Sequence, residues 1–259
     1  MRALQTATYL GNTHSCFHAG GVIVSETSYT QKVYEGWHYH ENHLLSLAVK
    51  GGTLEARSGG EREVLPGTVM LYQSGEKHRN RHTRHPSRNI NLEIEESFLM
   101  QHGLTFSPLR DAPFVKTTLL QIFRESLSAA PFSQTAIASL VLSLFAAPAR
   151  PAHGPLPAWV PLLRDYLQDQ WNETPSLNTL ATATGVHPVT ISHYFPVYFH
   201  CSLGAYLRKI KVEKAISLMQ QPELSLTAIA HQCGFFDQSH FIRTFKACTG
   251  FLPGEYRKL

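Results

Sequence analysis

The sequence predicts an α+β protein of two domains: an N-terminal β-barrel with an αα-hairpin, and a C-terminal all-α domain with two helix-turn-helix units. Three observations predict this architecture. Short apolar stretches separated by turn residues fill the first part of the chain, to about residue 95, and this pattern is typical of a small barrel or sandwich. The apolar spacing then changes to a helical period. In the last part, residues 176–186 are repeated at 225–235, which indicates a duplicated helical unit.

Composition indicates a globular chain and leaves the class of ligand open. Hydrophobic residues make up 43% and charged residues 16% of the 259 positions, a balance that supports a core and argues against disorder. The formal net charge of +4 is too small to indicate nucleic acid by itself. We recognise no signal peptide, no apolar run of membrane-spanning length and no CxxC pair. We therefore expect a reduced cytoplasmic protein without membrane contact.

Turn residues divide the N-terminal strands. Turns are predicted at Gly51-Gly52, Gly59-Gly60 and Pro66-Gly67. The basic segment 77–88 is predicted to be a solvated loop.

Three histidines lie among these strands. On a strand, His38 and His40 point to the same face. A barrel would bring His78 close to them. Three imidazoles can bind a divalent metal ion, so a metal site is one interpretation of the set.

The segment Gly36-Trp37-His38-Tyr39-His40-Glu41, followed by Pro66-Gly67 and then by His78, resembles the two motifs of the cupin barrel. Cupin enzymes add a Glu several residues after the first histidine pair, where this chain has Leu44, Leu45 and Ser46. The resemblance therefore implies a cupin-like binding barrel and no catalytic residues. The predicted pocket residues are His38, His40, His78, Trp37 and Tyr72. They line an effector pocket or a structural polar network, with a divalent metal in the barrel as the alternative.

A hairpin of two helices follows the strands. Its apolar positions have helical spacing on both sides of Pro131. The second helix is apolar around much of its circumference, so it packs against the barrel or forms a dimer interface. Residues 146–157 are rich in Pro and Gly and predict a linker. The predicted boundaries are 1–147, a linker at 148–157, and 158–259.

The duplicated unit has the form of two short helices joined by a tight turn. Ala181 and Ala230, and likewise Gly185 and Gly234, fall at equivalent places, where small residues let two helices cross closely. A helix at 206–220 connects the two copies. In the first copy Pro196 is predicted to kink or end the second helix.

The second copy and the residues after it resemble the C-terminal signature of the AraC/XylS family of bacterial transcription regulators. The matching residues are Ile229-Ala230, Gly234-Phe235, Asp237-Gln238-Ser239, Phe241, Arg243, Phe245-Lys246, Thr249-Gly250, Pro253 and Glu255-Tyr256-Arg257. The resemblance implies a cytoplasmic regulator that is not an enzyme and that binds two successive major grooves of double-stranded promoter DNA. It also implies a small-molecule effector for the barrel, a homodimer, and contact with RNA polymerase if the protein is an activator.

The resemblance and the polar faces of the helices give the predicted DNA contacts. The predicted base-reading residues are Gln238, Ser239, His240 and Arg243 in the second copy, and Val189, Thr190, Ser192 and His193 in the first. The predicted phosphate contacts are Lys246, Arg208, Lys209 and Lys211. A phosphate contact or an ion pair with an acid remains open for Arg243, and a merely solvated face remains open for the basic set. We expect the second unit to supply more of the affinity.

Two other functions remain open at this level. One is a metal-dependent cupin enzyme fused to a DNA-binding module. The other is a constitutive DNA-binding dimer whose barrel senses nothing.

Overall fold

The computed structural model describes residues 1–107, 109, 114–128, 130–145 and 155–259, with His82 described by its backbone alone. The chain forms two compact units. The first consists of residues 1–145 together with 249–259, and the second consists of the described residues between Ala146 and Cys248. Most of the predicted linker, 148–154, lies outside the described residues, and the predicted domain boundaries remain predictions.

Antiparallel strands dominate the first unit. They are β1 (Arg2–Leu4), β2 (Asn12–His18), β3 (Val22–Tyr29), β4 (His38–His40), β5 (His43–Arg57), β6 (Gly60–Val64), β7 (Val69–Tyr72) and β8 (Arg79–Ile94). The main sheet has the order β2-β3-β8-β5-β6, with β7 paired to β5. β1 and β4 form a separate parallel pair. The predicted N-terminal sheet domain is thereby confirmed.

The predicted turn at Gly51-Gly52 is wrong, because both glycines lie inside β5. The pairing of β5 with β8 shifts register between Ala48 and Leu54, so the strand continues through β-bulges instead of turning back. Gly51 has φ +80, and a Cβ there would lie 2.6 Å from the carbonyl oxygen of Arg84. Glycine is needed at this position because the neighbouring strand approaches so closely.

The predicted solvated loop at 77–88 is also wrong, because most of it belongs to β8. Two of its arginines face acidic residues of β6: Arg81 pairs with Glu61 and Arg84 pairs with Glu63. Each such exposed pair contributes at most about 1 kcal/mol. Backbone pairing with β5 therefore makes this segment a strand, and the ion pairs add little stability.

The side chains of β8 alternate between an apolar and a polar face of the sheet. Ile90, Leu92 and Ile94 are at most 1% exposed, and Leu92 pairs with both Leu45 and Val24. The intervening residues of β8 are polar and turn to the other face, since neighbouring side chains of a strand point in opposite directions. One face of the central sheet is therefore apolar and the other is polar.

The predicted αα-hairpin is present. The helices of this part are α1 (Glu96–Gln101), α2 (Val115–Ser128) and α3 (Ser133–Leu144). α2 packs on β3, β8 and α3, and its Leu119, Leu120, Ile122 and Phe123 are at most 1% exposed. Each fully buried side chain of this size contributes about 1.5–3 kcal/mol. Packing within the chain thus accounts for the apolar side of α2.

The second unit is helical. Its helices are α4 (Trp159–Asp169), α5 (Leu177–Thr184), α6 (Pro188–Phe199), α7 (Leu203–Leu218), α8 (Leu226–Gln232) and α9 (Gln238–Thr249), and α10 (Pro253–Tyr256) follows in the C-terminal residues that group with the first unit. Among the described residues, no helix has both the length and the hydropathy needed to cross a membrane.

The two helix pairs, α5–α6 and α8–α9, are built alike. Ser176 and Ser225 cap the first helix of each pair by accepting a hydrogen bond from the amide three residues on. Gly185 and Gly234 end these helices with φ of +71 and +66, the left-handed conformation that glycine adopts most readily. The duplication seen in the sequence is therefore a duplication of geometry.

Of the two effects predicted for Pro196 in the first pair, a kink or an end of the helix, the end is wrong. α6 continues through Pro196 to Phe199 instead of ending there. Proline removes the bond to the carbonyl of Ser192. Ser192 is exposed, so water can replace that bond.

Alanine at the two turn glycines should separate backbone strain from close packing. A Cβ on Gly234 would lie 1.9 Å from the carbonyl oxygen of Asn172, whereas one on Gly185 would meet nothing within 4 Å. We expect Gly185→Ala to lower the free energy of unfolding by about 1 kcal/mol, from the left-handed φ alone. Gly234→Ala should cost roughly 3 kcal/mol, because the clash adds to the strain. Urea denaturation of both variants measures the difference, and equal losses would contradict the close approach.

Candidate nucleic-acid interface and sheet cavity

The α8–α9 pair leaves one side of α9 free. Asp237 caps α9, since its Oδ1 accepts a hydrogen bond of 2.6 Å from the amide of His240. Phe235 before the helix and Phe241 and Phe245 within it are at most 5% exposed. The side of α9 away from these rings is therefore the side open to a partner.

That open side carries a stripe of polar and basic groups, which we call the α9 stripe. It consists of Ser239, Arg243 and Lys246, all exposed and spaced so that they share one helix face. Within the described part of the chain Arg243 has no ion-pair partner, so an acid does not occupy it. A hydroxyl, a guanidinium and an ammonium on one face suit phosphates and base edges.

The other two predicted base-reading residues of α9 are half-buried. The amide oxygen of Gln238 accepts a hydrogen bond of 2.6 Å from the Thr227 hydroxyl on α8. The His240 ring lies edge-on to Phe235, with 5.4 Å between ring centroids. Both side chains therefore also fasten the helix pair, and Gln238 keeps its NH₂ group as a donor.

The α5–α6 pair presents a weaker surface. Val189 is 66% exposed, Ser192 and His193 are exposed, and Thr190 is half-buried. Nδ1 of His187 caps α6 by accepting from the amide of Val189 at 3.3 Å. This surface has hydroxyl, apolar and imidazole groups but no Lys, Arg, Asp or Glu.

Of the predicted phosphate contacts, Arg208 and Lys246 are exposed and Lys209 is half-buried. Lys211 does not fit the prediction, since it is 5% exposed. Its ammonium donates to the carbonyl oxygen of Gly234 at 2.8 Å and to the hydroxyl of Thr174 at 3.1 Å. Burial lowers the pKa of Lys211. Lys211 therefore holds the α8–α9 turn from the interior. The predicted phosphate contact does not hold for this residue, and its role is structural.

Sequence reasoning missed Phe236. Its side chain is 88% exposed immediately before α9, where it lies beside the buried Phe235. The signal was available: the second copy has one residue more than the first at this place, and the core takes only one of two adjacent phenylalanines.

The first unit contains a cavity of about 50 Å³ beside β4, β5, β7 and β8. His38, His40, His78 and Tyr72 lie in its wall, as predicted, but Trp37 does not. Trp37 is 36% exposed, with the guanidinium of Arg79 5.1 Å from its ring centroid. Trp37 precedes β4 and is adjacent to the inward His38. Because neighbouring side chains of an extended chain point to opposite faces, Trp37 lies at the surface.

The cavity wall combines apolar side chains with many polar ones, and the sequence did not reveal the polar part. Asn91 of β8 accepts a hydrogen bond of 2.7 Å from Ser46 and donates one of 3.0 Å to Thr27. Other polar wall residues include Thr53, Asn80, Thr83, Ser87 and Asn89. The signal was available in the alternation of residues 89–95. The polar residues of this alternation face the interior instead of solvent.

The three histidines meet at one end of the cavity. One ligating atom from each ring lies within 4.8 Å of the other two, and all three residues are buried. Burial lowers the pKa of each, and the neighbouring imidazoles lower the pKa of His40 further, to about 3; that of His78 falls to about 4. The rings are therefore neutral at pH 7.

Comparisons with known proteins show which family the C-terminal helices resemble. A family profile described as a helix-turn-helix domain matches residues 180–259. The probable transcription factor PqrA of Proteus vulgaris is 31% identical over 91 residues, which cover 35% of this chain and 75% of PqrA. This chain belongs to the AraC family of transcriptional regulators. The AraC/XylS resemblance predicted from Ile229 to Arg257 is thereby confirmed.

Other relatives differ in how much they share with this chain. The uncharacterized HTH-type transcriptional regulator YijO of Escherichia coli is 30% identical over 96 residues, or 37% of this chain. The chain spans only 34% of the length of YijO. The arabinose operon regulatory protein of Salmonella typhimurium is 22% identical over 237 residues, which cover 84% of each protein.

Removing the buried lysine should affect stability without affecting the electrostatics of DNA binding. We expect Lys211→Met to lower the free energy of unfolding by about 2 kcal/mol, because the carbonyl oxygen of Gly234 loses a charged partner. The slope of log affinity for DNA against log salt should stay at the wild-type value. Lys246→Met, the matched control, should reduce that slope by about 1. A reduced slope in Lys211→Met would restore the original prediction.

Proposed function

We propose that this AraC-family chain is a sequence-specific DNA-binding transcriptional regulator whose N-terminal barrel senses a small polar effector. The α9 stripe carries the DNA part of the proposal. Its three exposed groups lie opposite a fully buried apolar side, so α9 offers the face that a recognition helix inserts into the major groove.

The likeness of the two helix pairs supports two helix-turn-helix units. α5–α6 and α8–α9 share their serine caps and their left-handed glycines, and α7 lies between them in the chain. We therefore assign α6 and α9 as two recognition helices for successive major grooves of promoter DNA.

Chemistry assigns a role to each of the predicted contact residues. In α9, Arg243 reads guanine through two hydrogen bonds, Gln238 donates its NH₂ group, and Ser239 and His240 lie beside them. Phe236 joins this set as an apolar contact for a thymine methyl group. In α6, Val189, Thr190, Ser192 and His193 supply apolar and hydroxyl contacts. Lys246, Arg208 and Lys209 bind phosphates.

The cavity favours a sensing barrel over a constitutive dimer. Oδ1 of Asn80 in the cavity wall is buried without a hydrogen-bond partner among the described residues, and such a group costs free energy in a barrel that serves only as a scaffold. The wall around Asn91 offers donors and acceptors for an effector with hydroxyl or carbonyl groups. This lining also supports the cupin-like assignment of the barrel.

The enzyme alternative finds no support at the cavity. The histidine cluster includes no carboxylate among the described residues. The buried Glu55 is paired with Arg57 and Arg62, and Glu93 accepts a hydrogen bond from the hydroxyl of Tyr9. Neither is free to act as a general base.

The hairpin supplies a surface for the proposed homodimer. Leu140 and Leu142 of α3 are only half-buried, and Phe132 at the hairpin turn is 80% exposed. A second copy of the chain would cover these groups. Contact with RNA polymerase follows if the protein activates transcription.

Substitution of Arg243 tests base reading. We expect Arg243→Ala to weaken binding to the cognate promoter by about 1–3 kcal/mol, because a bidentate contact to guanine is lost. Binding to random DNA should weaken much less. Fluorescence anisotropy at several salt concentrations measures both affinities.

Lys246→Ala is the matched control for Arg243→Ala, since it lies on the same stripe one turn away. It should weaken specific and random DNA equally, as expected for a phosphate contact. Equal losses for Arg243→Ala would contradict its base-reading role.

Filling the cavity tests effector sensing. Ala48 is 1% exposed and lies in the cavity wall, so Ala48→Leu should occupy the space of a ligand. Metabolites that raise the thermal midpoint of the wild type should not raise that of Ala48→Leu, while promoter affinity without ligand is unchanged. Ala56→Leu controls for overpacking, since Ala56 is equally buried outside the wall. An unchanged thermal response in Ala48→Leu would contradict ligand binding in the cavity.

A further inference from the structure

We propose that Cys16 and His18 of β2 bind one Zn²⁺ ion together with the same two residues of a second copy of the chain. The two copies pair their β2 edges about a two-fold axis, which completes a set of two thiolates and two imidazoles. The inference depends on the geometry of β2 and goes beyond the DNA-binding function.

Cys16 and His18 hold two ligand atoms at the spacing that a tetrahedral ion requires. The residues lie two positions apart on a strand, so their side chains point to the same face, and both are exposed. Sγ of Cys16 and Nε2 of His18 are 3.5 Å apart. Bond lengths of about 2.3 Å to sulfur and about 2.0–2.1 Å to nitrogen place two ligands of tetrahedral Zn²⁺ about 3.6 Å apart.

One chain supplies only half of such a site. The described residues contain no third His, Cys, Asp or Glu close enough to join the Cys16–His18 pair. A structural zinc site has four protein ligands. The other two ligands must therefore come from another molecule, and a second copy of the chain offers the same pair.

The open edge of β2 is where a second copy can bring that pair. β2 is the last strand of its sheet. Ala19 and Val22 exchange backbone hydrogen bonds of 2.8 and 3.2 Å at the turn into β3. Hydrogen-bonded and non-hydrogen-bonded pairs alternate along an antiparallel ladder, so the backbone groups of Cys16 and His18 point away from β3. In the described part of the chain no backbone group outside the sheet bonds to them.

A two-fold axis at Phe17 uses these free backbone groups. Each Cys16 then lies opposite His18 of the other copy, and each such pair exchanges two backbone hydrogen bonds. Directly opposite side chains share a face, with their Cβ atoms about 4.5–5.5 Å apart, so the two Cys–His pairs converge on one ion. Phe17 is half-buried and meets its own copy on the other face.

The charges of the two sheet edges favour β2 over β6 for this pairing. Two-fold pairing brings a charge near the axis close to its own copy, and like charges across a strand pair are destabilising. β2 contains no Lys, Arg, Asp or Glu, whereas β6, the other edge, carries Glu61, Arg62 and Glu63. The irregular pairing between Thr13 and Ser15 keeps the pairable part of β2 short. A few backbone bonds alone give a marginal dimer, and the ion stabilises it.

Metal binding releases the thiol proton. Burial, with a smaller contribution from Glu93, raises the pKa of Cys16, so the thiol is protonated at pH 7 in the metal-free chain. Zn²⁺ displaces this proton, because a coordinating thiol is deprotonated. Each pair of chains therefore takes up one Zn²⁺ and releases two protons to solvent.

Zinc titration of full-length, untagged protein tests the site. The protein carries His40→Gln, because the three imidazoles of the cavity are another set of zinc ligands. It is stripped with a chelator and dialysed against Zn²⁺, and bound zinc is measured by elemental analysis. Light scattering after size-exclusion chromatography gives the mass with and without the ion. We expect one Zn²⁺ per two chains and a mass that at least doubles, whether or not the metal-free protein is already a dimer through the hairpin.

Two variants remove the ligands from this protein. Cys16→Ser and His18→Ala should each need at least tenfold more Zn²⁺ for the same increase in mass. His14→Ala is the matched control, because His14 lies on the same strand but its Nε2 is 2.5 Å from the Ser28 hydroxyl. One Zn²⁺ per chain without a change in mass would overturn the proposal, as would an unchanged zinc requirement in Cys16→Ser.

Charge exchange at Phe17 tests the two-fold pairing with both ligands intact. Phe17→Lys and Phe17→Glu should each prevent zinc-dependent association, because like charges meet at the axis. An equimolar mixture of the two folded variants should restore it, and a mixture that stays apart would overturn the pairing. Co²⁺ absorption of the protein without these changes decides the matter if the variants unfold. Two thiolates per ion give a strong sulfur-to-cobalt charge-transfer band, and a spectrum without sulfur ligands would overturn the site.

Discussion

The alternation of side chains along β8 is the constraint on which the first unit depends. Ile90, Leu92 and Ile94 are excluded from water on one face, and Asn89 and Asn91 line the cavity on the other. A register slip of one residue would exchange the two sets and bury the amides in the apolar layer. The bulges around Gly51 let β5 follow the whole length of β8, and a sheet that bends in this way encloses a cavity instead of a flat face. The polar cavity is thus a consequence of pairing, and the histidines of β4 need only close its end.

The second unit depends on a different device, the left-handed glycine between two short helices. Gly185 and Gly234 share this conformation, but their surroundings differ. Gly234 lies against the carbonyl of Asn172 and its own carbonyl accepts from the buried ammonium of Lys211. Burial raises the pKa of the neighbouring Cys233 to about 12, so Lys211 is the charged group there, and its partners are the Gly234 carbonyl and the Thr174 hydroxyl. The α8–α9 turn is therefore held by more contacts than its counterpart, which suits the proposed role of this helix pair in presenting Arg243 to DNA.

Patterns with a strong period were predictable from the sequence, and departures from them were not. The hairpin, the duplicated helix pairs and the common face of His38 and His40 follow from spacing alone. Gly51-Gly52 resembles a turn because nothing local distinguishes a bulge from a reversal; only the partner strand decides. Lys211 resembles its basic neighbours on α7, and its burial depends on Gly234, more than twenty residues away. The polar face of β8 has the same alternation as a solvent-exposed strand, so its role depends on which sheet face the chain encloses. Pro196 is tolerated because the carbonyl it leaves free is at an exposed turn.

The two proposed recognition helices divide their work by charge. The α9 stripe carries a guanidinium and an ammonium on one face, and α7 adds Arg208, so contacts on that side gain from release of counterions. The open side of α6 carries Val189, Ser192 and His193 and no fixed charge. Hydroxyl and apolar contacts contribute little affinity at long range, but they discriminate once the helix is seated, because a thymine methyl or a base edge either fits or is left unpaired. α6 therefore depends on α9 to bring it to the groove. Sequence discrimination by α6 should be measurable only when α9 is bound. This dependence is a physical reason for the two helix pairs to differ in charge.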